Sequence, residues 1–140
     1  MNTENMRNLA NFLDSLQDSN FTFTFDLEIG WDKPNLYFGC GTVCCIAGAV
    51  QALRLSAASA TTKSEVVNRA QRWLGLRVHE ANKLFTPDNE SLEYNGYDYN
   101  VITPRIVAYV LRDSVLHNDI NWQRALESYN TKLAKGNVAS

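Results

Sequence analysis

FGCGTVCCIAGAV, residues Phe38 to Val50, holds all three cysteines of the chain within six positions. Gly41 permits a turn with positive φ, and Thr42 can cap a helix that starts at Val43. From there Val43, Ile46, Ala47, Gly48, Ala49, Val50, Ala52 and Leu53 are apolar or small on nearly every side. A helix without a polar face is a buried one, so residues 43–54 are expected to form a central helix wrapped by the others. Cysteine at such a helix start has two readings. The free amides and the helix dipole favour a thiolate, which makes a nucleophile. A free cysteine is also a small apolar side chain that packs well.

Working outward, Met6, Leu9, Ala10, Phe12, Leu13 and Leu16 repeat at helical spacing, with Asn2 or Thr3 as the cap. Phe21, Phe23, Phe25 and Leu27 then alternate with polar residues, as in a half-buried strand. Gly30, Asp32 and Pro34 mark a turn, and Leu36–Gly39 reads as a short return strand. Thr62 and Glu65 form a capping box before a helix bearing Val66, Val67, Ala70, Trp73 and Leu74. Leu74-Gly75-Leu76 ends it, and a shorter helix runs from Val78 to Phe85 before Pro87. Thr103-Pro104 opens a further helix with Ile106, Val107, Val110, Leu111 and Val115 on its stripe. Trp122, Leu126, Tyr129 and Leu133 mark the last helix, closed by Lys135-Gly136. The expected fold is therefore mainly α (α+β). About five helices surround the buried central helix 43–54, and a small β-hairpin lies between the first two. Residues 1–140 fit a single domain.

Between Thr86 and Ile102 runs a polar stretch with Tyr94, Tyr97 and Tyr99 among Asp88, Glu90, Glu93 and Asp98. Its length marks it as a functional loop, or as a second hairpin turning at Asn95-Gly96 with its tyrosines laid on the core. Charge comes in blocks. Residues 54–83 carry six basic and two acidic residues, whereas 88–99 carry four acidic and none basic. The net charge of −2 and these flanking acids weigh against nucleic acid, whose affinity rests on neutralised phosphates.

Read in order, MNTENMRNLANFL, FDL, CGTVCCIAG, WLGL, EANKLFTP, ITPRIVAYVLRDSV and DINW resemble an uncharacterised family of small proteins from phages, prophages and bacteria. The shared pattern is C-G-T-x-x-C-x-A-G, then L-G-L, A-x-x-L-F-x-P and a T-P helix. Cys40, Gly41, Thr42, Cys45, Ala47 and Gly48 fall on it, while Cys44 stands at a variable position. The resemblance implies a phage or mobile-element setting and carries no activity with it.

Three functions follow as expectations. The first is a non-enzymatic accessory protein that binds a host protein through Tyr94, Tyr97, Tyr99, Glu90, Glu93 and Asp98. The second is a cysteine-dependent hydrolase or transferase using Cys40 or Cys45, with His79 or His117 as base. The third is a weak nucleic-acid binder through Arg69, Arg72 and Arg77. That reading is disfavoured because the second helix of the pair is short and Gly75 sits at a helix end. No spacing suits a metal, no fingerprint suits a cofactor, and no apolar run suits a membrane span. Without a secretory signal, a cytoplasmic location with reduced thiols is expected.

Overall fold

The structure, a computed structural model, describes residues 1–15, 22–23, 43–44, 46–53, 63–97 and 102–136. Seven helices are present among the described residues: α1 (Thr3–Ser15), α2 (Ile46–Leu53), α3 (Lys63–Trp73), α4 (Val78–Phe85), α5 (Asn89–Tyr94), α6 (Pro104–His117) and α7 (Trp122–Ala134). Each contributes to one cluster of buried apolar side chains. The mainly α expectation is met.

The core is built on α1 and α6, which make the most extensive contact between described elements. Met6, Leu9, Ala10 and Leu13 of α1 are fully buried, as the spacing predicts. Thr103 Oγ1 accepts from the Ile106 amide at 3.3 Å, and Pro104 takes the first turn, so α6 starts where its sequence says. Asn118 ends α6 in the left-handed region at φ 51°. Asn121 Oδ1 then accepts from the Arg124 amide at 3.0 Å and opens α7.

Helix α2 is shorter than expected, Ile46–Leu53 rather than 43–54. Ile46, Ala49 and Val50 are buried, but α2 packs mainly on α3. Among the described residues α6 carries the most buried side chains, from Pro104 to Ser114. Val43 and Cys44, expected as helix, form strand β2 (Val43–Cys44) instead. It pairs in parallel with β1 (Thr22–Phe23), Thr22 opposite Val43 and Phe23 opposite Cys44. The hairpin expectation is therefore not supported. A hairpin joins antiparallel strands by a tight turn, whereas parallel neighbours need a long crossover. The proposed return strand 36–39, the Thr42 cap and the Thr62 cap lie outside the described residues.

The α3–α4 connection holds a glycine whose conformation is required. Gly75 sits at φ +66°, the Leu76 amide donates to Gln71 O at 3.0 Å, and the Gly75 amide donates to Arg72 O at 3.1 Å. This is the paired hydrogen bonding of a Schellman ending. A Cβ at Gly75 would stand 2.6 Å from the Asn2 backbone nitrogen. That close approach lets the Asn2 amide donate to Leu74 O at 2.8 Å, tying the start of α1 to the turn.

Candidate functional site

The acidic, tyrosine-bearing stretch is neither a hairpin nor an open loop where it is described. Asp88 caps a six-residue helix, its Oδ1 accepting from the Glu90 amide at 3.2 Å. Leu92 is fully buried and anchors the helix. Asn95-Gly96 does turn the chain, but as a helix ending. Gly96 has φ +84°, its amide donates to Glu93 O at 2.9 Å, and the Tyr97 amide donates to Leu92 O at 2.9 Å. The hairpin reading of Asn95-Gly96 is corrected by these bonds, which run back into the preceding helix rather than across to a strand.

Helix α5 is fixed to α7 by side chains beyond its end. Tyr97 Oη donates to Asn130 Oδ1 at 2.6 Å, and Asn130 Nδ2 donates to Asn95 O at 3.1 Å. This separates two of the predicted contact tyrosines. Tyr97 is half-buried and engaged, while Tyr94 stands 72% exposed. Glu90 and Glu93 are also exposed on the same helix. Asp98 and Tyr99 lie outside the described residues. Burial raises the Tyr97 phenol above its ordinary value of about 10, and Tyr129 adds to the shift. The folded chain thus holds this proton more tightly than the unfolded chain. Its contribution to stability is complete below about pH 10 and is lost as pH rises through the folded value. Tyr97→Phe is expected to flatten the fall in stability above pH 10 in urea titrations, at a cost of about 1 kcal/mol near neutrality. An alkaline limb unchanged by the substitution would contradict the assignment.

A cleft of about 400 Å³ opens beside α5, between the end of α4 and the start of α7. Its walls include Asn82, Lys83, Thr86, Asp88, Ser91 and Asn121, with Ile120 and Trp122 buried behind them. Ser91 lies one turn before Tyr94, so both belong to one side of α5.

A charged cluster joins α6 to α7. Arg124 donates from Nε and Nη2 to Asp113 Oδ2 at 3.0 and 2.8 Å, and from Nη1 to Asp119 Oδ2 at 3.1 Å. The Asp113 side chain is only 5% exposed. Burial draws the guanidinium down, but hydrogen bonds and charges from Asp113 and Asp119 outweigh it and hold Arg124 above its ordinary value. Sequence reading misses this cluster. Its members sit on α6, on α7 and in the connection between them, and nothing in their spacing brings them together.

The catalytic candidates do not assemble among the described residues. Cys40 and Cys45 lie outside them. His79 is exposed on α4. His117 Nδ1 lies 3.0 Å from Asp113 O and 3.4 Å from Asp113 Oδ1. An oriented imidazole needs a nucleophile, and the neighbouring Ser114 hydroxyl is buried and donates to Val110 O at 2.7 Å. No group of three or more His, Cys, Asp or Glu residues that could hold a metal occurs among the described residues. No described helix is long and apolar enough to cross a membrane. No family model, curated protein or solved structure matches the chain.

Proposed function

We propose that this chain is a non-enzymatic binding protein from a phage or mobile-element setting, and that it docks on a host protein through α5. One observation carries the reading: Tyr94 is 72% exposed on a helix whose ends are both fixed, by the Asp88 cap and by the Tyr97–Asn130 bond. A large aromatic side chain presented on a pre-ordered element loses little freedom on binding, and tyrosine is enriched among residues that dominate interface energies. Glu90 and Glu93 place carboxylates around it, which selects a basic partner surface and speeds encounter. The matching partner has an apolar slot for the tyrosine ring, rimmed by lysine or arginine. Asp98 and Tyr99 follow in the sequence and extend the same acidic-aromatic composition.

The test is comparative capture from bacterial host lysate on immobilised wild type and on a Tyr94→Ala/Glu90→Lys/Glu93→Lys variant. Wild type is expected to retain a protein that the variant loses by about 30-fold or more, the scale of removing one dominant contact. Equal retention on both, or none on wild type, contradicts the reading.

A further inference from the structure

We propose that the exposed face of α4 docks on double-stranded DNA, as a second surface distinct from α5. Val78, His79, Asn82, Lys83 and Thr86 are exposed at helical spacing, while Ala81, Leu84 and Phe85 are buried behind them. The stripe has no carboxylate. The one acid of α4, Glu80, is turned to the helix start, where its Oε1 accepts from the Arg77 amide at 2.9 Å.

Charge complementarity selects the occupant. Two arginines of α6 and α7 are closely paired: Arg112 with Asp14 at 2.6 Å and Arg124 with Asp113 at 2.8 Å. At α4 the pattern differs. The Arg77 side chain is 81% exposed and comes no closer to Glu80 than 4.0 Å, and Lys83 has no ion pair among the described residues. Arg72 is exposed on the preceding helix, across the Gly75 turn. The resulting face places cations at both ends of α4 with hydrogen-bonding side chains between them. Asparagine, histidine and lysine can reach base edges, and Val78 offers a methyl surface for thymine. Helix α4 is short, but its eight residues span about 12 Å, close to the width of the major groove. Asp88 stands with Lys83 in the wall of the cleft and opposes phosphate there.

The test is fluorescence anisotropy of a labelled duplex with the full chain. Binding is expected at about 50 mM salt, weakening about 10- to 40-fold by about 200 mM, as neutralisation of two or three phosphates requires. Arg77→Glu/Lys83→Glu is expected to lower affinity about tenfold or more with an unchanged helical circular dichroism spectrum. Asp88→Asn keeps the cap and is expected to strengthen binding. The single Tyr94→Ala variant, which leaves the charge unchanged, is expected to bind DNA like wild type, so failure of either surface is read separately. No binding at low salt, full binding by the Arg77/Lys83 variant, or displacement by polyglutamate as readily as by unlabelled duplex overturns the proposal.

Discussion

Leu111→Ala is expected to lower the free energy of unfolding by about 3–5 kcal/mol in urea denaturation. Leu111 is fully buried in α6, in the same cluster as Met6, Leu9 and Leu13 of α1. Truncation removes the transfer free energy of its methyl groups and leaves a cavity that fixed helices close only in part. Leu116 lies on the same helix but is 80% exposed. Leu116→Ala should change stability by about 0.5 kcal/mol or less. The contrast tests which face of α6 is inside. Similar losses at both positions would mean that α1 and α6 do not form the core.

Arg124→Met is expected to cost about 3 kcal/mol, through a different mechanism. Methionine keeps much of the side-chain bulk but leaves the Asp113 carboxylate, 5% exposed, without the guanidinium that meets it. Arg124 is itself 29% exposed, so water offsets part of the loss and keeps it at the lower end of the range for broken buried pairs. Asp113→Asn in the Arg124→Met background should then cost much less than Asp113→Asn alone. Such coupling is the signature of one interaction shared by two residues. Additive losses would show that Asp113 and Arg124 stabilise the fold separately.

The parts legible in the sequence share a physical basis. Helices α1, α6 and α7 run for three turns or more, so their apolar spacing repeats, and α6 has a recognisable cap in Thr103. The Gly75 ending is equally local: one glycine between two leucines fixes it. Helix α5 escapes the same reasoning because it offers one buried apolar side chain, Leu92, among its described residues, and one apolar position has no period. Its signals were present nonetheless, in Asp88 as a cap, Glu90 in the first turn and Gly96 after the end. Strand pairing at Thr22–Phe23 and Val43–Cys44 is long-range, and a two-residue strand leaves no pattern of its own.

The candidate site was legible as a composition and not as a geometry. Tyr94 and Tyr97 have similar sequence surroundings, yet one projects and the other is held by Asn130. The Gly96 turn between them makes the difference, because it redirects the chain towards α7. In the same way, the basic block around Arg72, Arg77 and Lys83 reads as a solvated face until the burial of Ala81, Leu84 and Phe85 shows which side chains remain outside. Partnering across space decides function at both surfaces, and sequence spacing reports it only within one helix.

The central claim, that α5 presents Tyr94 to a host protein, is tested most directly by site-specific photocrosslinking. A photoreactive phenylalanine at position 94 is expected to trap one defined host protein, in competition with unlabelled wild type. The same group at position 116, which is also exposed but lies on α6, is expected to trap none of it. Equal trapping at both positions, or no competable product at position 94, would contradict the account.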